Sequence, residues 1–299
     1  MQDLITVIRP ELQDLLDPAA QLETIAEGLL FTEGPVWDAR AGRLLFSDIP
    51  ANTIYAWNEA DGLSVFRQPS GFANGLTFNR NGELIACEHR TRAITQSRGD
   101  GAAQALADSY QGKKLNSPND LIAARDGSIL FSDPIYGLQD GNGGPAEAEL
   151  DFQGLFRYEP ATQTLHLLSD SFERPNGLAL SPDEKRLYVI DTVRQHIRLY
   201  EIGAGWHLSG GRIWAELWDS VLPNRPDGLK LDAHGNVFST GPGGLWVFNP
   251  QADLLGRVNL PGKTSNLAWG GPGLDTLYIT CSDRILRLRT CTLGLPLVD

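Results

Sequence analysis

Ser117-Pro118-Asn119-Asp120-Leu121-Ile122-Ala123-Ala124-Arg125-Asp126-Gly127-Ser128-Ile129-Leu130-Phe131-Ser132-Asp133 reads as two short strands joined by a tight turn. The apolar run Leu121 to Ala124 ends at Arg125-Asp126-Gly127, where Asp and Gly suit a hairpin, and Ser128 to Asp133 returns. The same grammar begins at five other places: Glu33-Gly34-Pro35-Val36-Trp37, Asn74-Gly75-Leu76-Thr77-Phe78, Asn176-Gly177-Leu178-Ala179-Leu180, Asp227-Gly228-Leu229-Lys230-Leu231 and Ser265-Asn266-Leu267-Ala268-Trp269. With the last copy anchored on Asn266, the intervals are 41, 45, 57, 51 and 39 residues. Such a period marks copies of one supersecondary unit. Further strands follow each pair, among them Thr53 to Trp57, Gly154 to Tyr158, Ile197 to Glu201, Gly244 to Phe248 and Ile285 to Arg289. Four short strands in about 40–50 residues make a propeller blade, and no helical period separates them as a βαβ unit requires. The expected fold is all-β, a six-bladed β-propeller of four-stranded blades over residues 21–299. An extension over residues 1–20 precedes it, with a short helix from Pro10 to Leu16. Either Gln21 to Ala26 or Arg287 to Thr292 could supply the outer strand that closes the ring.

Composition narrows the partners. Net charge is −12 with no basic cluster, which disfavours nucleic acid and anionic membranes. No run reaches the roughly 20 apolar residues of a membrane span, and Met1 to Ala20 lacks the pattern of a signal peptide. Cys87, Cys281 and Cys291 are odd in number and share no metal spacing, so reduced thiols in a cytoplasmic protein are expected. The sequence does not reveal an oligomeric state.

In a propeller the signature residue opens the innermost strand of each blade, so the six polar side chains should meet at one mouth of the central channel. Glu33, Asn119, Asn176 and Asp227 would supply two carboxylates and two amide oxygens. That donor set suits one hard divalent cation, Ca²⁺ first, then Mg²⁺ or Mn²⁺; Zn²⁺ would lack its preferred His or Cys partners. The returning ends Asp48, Glu88, Asp133, Asp191, Thr240 and Cys281 follow 13–15 residues later and should form an outer layer, which would orient the ring or hold a base. The Gly-rich segment Gly137 to Gln153 accounts for the longest interval and reads as a lid or an inserted loop.

These residues resemble the gluconolactonase/regucalcin family, which includes luciferin-regenerating enzymes, and most closely its bacterial gluconolactonase branch. The resemblance covers about Gln21 to Arg289. It rests on Thr32-Glu33-Gly34-Pro35-Val36-Trp37, Ser117-Pro118-Asn119-Asp120-Leu121, Phe131-Ser132-Asp133-Pro134-Ile135-Tyr136-Gly137, Arg174-Pro175-Asn176-Gly177-Leu178 and Pro226-Asp227-Gly228-Leu229. It implies a six-bladed propeller with a divalent metal on Glu33, Asn176 and Asp227, and Asn119 at both metal and substrate. Regucalcin-like members carry Arg where this chain has Ser117, so the sugar is not carried over. The fluorophosphatase relatives have His in the last blade where this chain reads Ser265-Asn266, which weighs against phosphotriester hydrolysis.

The implied chemistry is opening of a lactone, such as gluconolactone, by metal-assisted attack of water. Asp227 is expected as the general base. Asn119, Asn74 and Tyr136 are expected to contact substrate, as is the Ser265-Asn266 copy. Asp133 or Asp191 could be the base instead, although orienting the ring suits them better. His89, following Glu88 at the mouth, could bind substrate, but an outward-facing loop position is the favoured reading. Trp37, Trp57, Trp246 and Trp269 read as wedges between blades. No G-x-S-x-G elbow or phosphate-binding G-x-x-x-x-G-K occurs. The alternatives are a broader paraoxonase-like esterase and a non-catalytic metal-binding propeller.

Overall fold

The computed structural model describes residues 3–296, so the outermost residues of the expected extension and propeller lie outside it. Six antiparallel sheets are arranged as a propeller, each running from an inner strand outward. Blade one comprises Thr32–Asp38, Arg43–Asp48, Thr53–Asn58 and Gly62–Arg67. Blade two has Ala73–Phe78, Leu84–Glu88, Ala93–Ser97 and Gln104–Ala107. Blade three has Leu121–Ala123, Ile129–Asp133, Gln153–Glu159 and Thr164–Phe172. Blade four has Pro175–Leu180, Arg186–Asp191, His196–Ile202 and Leu208–Glu216. Blade five has Leu229–Leu231, Val237–Gly241, Gly244–Phe248 and Leu254–Asn259, with Ile5–Val7 added outside as a fifth strand. Blade six has Thr264–Gly270, Thr276–Cys281 and Arg284–Arg289, and its outer strand is Leu22–Glu27. The N-terminal strand therefore closes the ring, and the C-terminal stretch contributes the third strand.

Local chemistry sets the hairpins. Asn79 Oδ1 accepts the N–H groups of Asn81 and Glu83, and Asp232 Oδ1 those of His234 and Asn236. These side-chain turns reverse the chain at the far ends of blades two and five. Between blades, fully buried Phe46, Phe131, Phe156 and Phe238 fill the core, and Trp269 stands edge-on to Phe238 at 5.2 Å between blades five and six.

The shared glycine of the repeat has a packing reason. A Cβ on Gly75 would lie 2.6 Å from the Asn119 carbonyl oxygen, and one on Gly177 2.5 Å from that of Asp227. The same glycines donate their N–H groups to those carbonyls at 2.8 Å. Neighbouring inner strands thus touch backbone to backbone, which only glycine permits.

The expected helix from Pro10 to Leu16 is not there. Pro10–Asp14 is a five-residue 3-10 turn, and its Leu12 packs against blade five. The next proline, Pro18, disfavours helical geometry at Asp17, which leaves too short a span to propagate an α-helix. Among the described residues no helix is long and apolar enough to cross a membrane.

Candidate functional site

Five signature residues, Glu33, Asn74, Asn119, Asn176 and Asp227, line one cavity at a mouth of the channel, and all five are buried. The sixth copy needs a correction. Thr264 pairs with Cys281 as Thr32 pairs with Asp48, so Ser265 is the counterpart of Glu33 and Asn266 falls at the glycine position. Only blades three and six break the glycine rule, with Asp120 and Asn266. These two side chains enter the channel beneath the cavity and meet, Asn266 Nδ2 lying 3.3 Å from both Asp120 Oδ2 and Glu33 Oε2. Lys230 Nζ sits 3.6 Å from Asp120 Oδ2 and 3.5 Å from Asn266 Oδ1. Asn266 therefore braces Glu33 from below and does not line the cavity with the expected substrate contacts.

The electrostatics follow from burial. Loss of water, reinforced by the Asp227 charge, pushes the Glu33 carboxyl well above the usual carboxylate range. Burial likewise raises Asp227, against the pull of Lys263 and Asn176. Lys263 Nζ stands 3.6 Å from Asp227 Oδ2 on a half-exposed side chain. Asn176 donates through Nδ2 to Thr192 Oγ1 at 3.0 Å, which leaves its amide oxygen for another partner. Tyr136 lines the same cavity, and burial, with Asp227 adding, moves its phenol up to about 12, so it stays protonated at neutral pH. Arg174 lies over its ring, 5.0 Å from the centroid.

The returning ends have another task than facing the ring. Asp48 accepts the N–H groups of Leu30 and Phe31, Asp191 those of Glu173 and Arg174, and Asp133 that of Asn116. Each carboxylate grips the chain two or three residues ahead of Glu33, Asn176 or Asn119, and so fixes where the inner strand starts. In blade five Thr240 Oγ1 takes the N–H of Asp227 directly, at 2.7 Å. Glu88 instead engages Arg67, Thr91 and Thr95.

Several lining residues escaped the sequence reading. Phe31, Arg174, Arg225 and Lys263 each stand two positions before a ring residue and line the cavity. Their common offset is visible in the sequence, and Ser117 at the same offset had already pointed to it. Ser117 itself is buried, donating to the Pro134 carbonyl at 2.5 Å and accepting from Gly137 N–H at 2.9 Å, so it anchors the turn that carries Tyr136. His89 does not face outward. It is 2% exposed, lines the cavity, and bonds through Nδ1 to the Asn142 carbonyl at 2.8 Å. The blade-three loop that supplies Asn142 thus folds over the mouth.

Two buried carboxylates, the three ring amides, a phenol and an imidazole share one cavity with Arg174, Arg225 and Lys263, a polar centre in which both signs of charge meet. Residues 31–283 match the sequence profile described as the SMP-30/gluconolactonase/LRE-like region. The chain belongs to this family. A gluconolactonase of Zymomonas mobilis is 35% identical, over 97% of this chain and 87% of its own length. The pentonolactonase XacC of Haloferax volcanii is 28% identical, over 83% of this chain and 80% of its own. Among solved structures, a gluconolactonase of Xanthomonas campestris superposes with a TM-score of 0.91 at 35% identity, covering 97% of this chain and 95% of that one. Membership in the SMP-30/gluconolactonase family matches the resemblance read from the motifs, down to the gluconolactonase branch.

Proposed function

We propose that this protein is a divalent-metal-dependent lactone hydrolase that opens a sugar lactone of the aldonolactone type. The observation that carries the reading is the pair of buried carboxylates, Glu33 and Asp227, sharing a cavity with Asn119 and Asn176 in a chain whose relatives include a gluconolactonase and a pentonolactonase. Among the described residues no three His, Cys, Asp or Glu side chains are placed to hold a metal ion by themselves, so a cation would depend on the amide oxygens as well. The donor set fits that role. Glu33 and Asp227 bring two carboxylates to the cavity, Asp120 beneath it is paired with Lys230, and the Asn176 oxygen is uncommitted. All the donors are oxygens, as Ca²⁺, Mg²⁺ and Mn²⁺ prefer, and Ca²⁺ is the first expectation.

Glu33, Asn176 and Asp227, with Asn119 beside them, would hold the ion. When bound it supplies Lewis-acid polarisation of the lactone carbonyl. The chain's own groups do the rest. Asp227, a carboxylate that lines the cavity beside the amides that would hold substrate, takes the proton of the attacking water. Asn74, Asn119 and Tyr136 hydrogen-bond the sugar hydroxyls and hold the ring against the carboxylate pair. Arg174 keeps the Tyr136 ring in place from the rim.

A substrate panel separates this reading from a broader esterase. In a pH-stat, glucono-δ-lactone and a pentono-lactone should be hydrolysed at least tenfold faster, in kcat/KM, than phenyl acetate. Equal or better turnover of the aryl ester would replace the sugar-lactone assignment.

A further inference from the structure

His89 is placed and oriented in a way that the hydrolytic machinery does not require. Its Nδ1 faces the Asn142 carbonyl at 2.8 Å; a carbonyl only accepts, so Nδ1 carries the hydrogen. Burial lowers the imidazole to about 4, which keeps it neutral near pH 7. The remaining nitrogen, Nε2, is then a lone-pair acceptor. It lies 3.4 Å from Asn74 Nδ2, a long contact that leaves room for a shorter partner.

The ring cannot swing away. Gly143 packs so closely that a Cβ there would lie 2.9 Å from His89 Cβ, and a Cβ on Gly137 would overlap the imidazole and lie 2.7 Å from Ser117 Cβ. Gly137 is itself pinned, donating its N–H to Ser117 Oγ. Backbone of the blade-three loop thus encloses the imidazole and fixes its tautomer, while the ring still lines the cavity. A neutral, rigid acceptor is matched to an O–H donor. With its basicity lowered by burial it is a weak base or nucleophile towards a lactone carbonyl, and it offers little to an apolar ring.

We propose that His89 Nε2 accepts a hydrogen bond from a substrate hydroxyl, so that His89, held by the Tyr136–Gln153 segment, selects polyhydroxylated lactones over unsubstituted ones. This rests on the lactone-hydrolase reading above.

The test compares the metal-loaded wild type with His89→Phe and His89→Gln on glucono-δ-lactone and δ-valerolactone. For His89→Phe the ratio of kcat/KM values, gluconolactone over valerolactone, should fall about ten- to hundredfold, chiefly through KM for gluconolactone. His89→Gln, which retains an acceptor oxygen, should lose less. An unchanged ratio for both variants overturns the proposal. A second measurement needs neither turnover nor a variant. In ¹⁵N-labelled wild type, the His89 Nε2 resonance should be that of an unprotonated nitrogen and should shift when gluconate is added. A protonated Nε2, or no shift at saturating gluconate, also overturns it. Wild type inactive on both lactones would remove the hydrolase reading, and the resonance would still decide whether His89 contacts a polyol.

Discussion

Glu33 and Asp227 are buried in one cavity, and the charge of Asp227 raises the Glu33 carboxyl. A cation between them would relieve that repulsion, so each should be indispensable to binding it. Glu33→Gln and Asp227→Asn should each weaken Ca²⁺ binding, read by calorimetry, by more than about a hundredfold, while the far-UV spectrum stays β-rich. Asn266→Ala removes the brace beneath Glu33 together with the contacts to Asp120 and Lys230, and should cost about ten- to hundredfold, the range for groups that orient ligands. Asp133 offers a separate test in stability. Burial lifts its carboxyl to about 7, and its Oδ1 has no partner. The folded state therefore keeps a proton that the unfolded chain releases near pH 4. Its contribution is most favourable below that point, declines as pH rises towards 7, and is constant above. Asp133→Asn abolishes this dependence. In urea titrations the variant should gain on the wild type between pH 4 and 7 and run parallel above 7; a constant difference across that range would refute the assignment.

At the scale of the strand, the repeat is a device for bringing backbones into contact. Gly177 donates to the Asp227 carbonyl of the next blade and has no space for a side chain. Gly177→Ala should therefore lower unfolding stability by about 1–3 kcal/mol, the usual cost of forcing atoms into a packed interface, and should shift the neighbouring Asp227 with it. The urea midpoint measures the first effect, and loss of Ca²⁺ affinity the second. This contact also explains what the sequence discloses. The period is legible because Gly34, Gly75, Gly177 and Gly228 all obey one steric rule, and a residue beside an invariant rule stands out. Glu33, Asn74, Asn176 and Asp227 stand beside such a glycine, and Asn119 is marked instead by the apolar strand and hairpin that follow it. Asn266 was misplaced by one position because blade six breaks the rule, and Asp120 was passed over because blade three does too. The outer carboxylates were located correctly next to the ring, yet hairpin geometry could not say that Asp48 and Asp191 point at backbone N–H groups. The inward turn of His89 depends on a loop more than 45 residues further on, at Gly137 and Gly143, and no local pattern encodes it.

For the whole molecule, function depends on six blades holding one circumference. Leu22–Glu27 completes blade six by pairing with Arg284–Arg289, so the first and last parts of the propeller are tied in a single sheet. Arg287 strengthens the seam, pairing with Glu23 on the closing strand and with Glu59 of blade one. Ile5–Val7 only adds an edge to blade five. Deleting residues 1–8 should therefore lower the urea midpoint modestly, whereas deleting residues 1–27 should open the ring and abolish the cooperative transition; similar effects of the two would contradict closure by this strand. If the closed ring sets Glu33, Asn119, Asn176 and Asp227 around a cation that serves lactone opening, as we propose, hydrolysis must depend on both the cation and Glu33. Glucono-δ-lactone hydrolysis is followed in a pH-stat with wild type and Glu33→Gln, each stripped with chelator and then resupplied with Ca²⁺, Mg²⁺ or Mn²⁺. Stripped wild type should fall to the spontaneous rate and recover with at least one cation, while Glu33→Gln should recover with none at the same concentrations. Undiminished hydrolysis by the stripped protein, or full recovery by Glu33→Gln, would contradict that dependence.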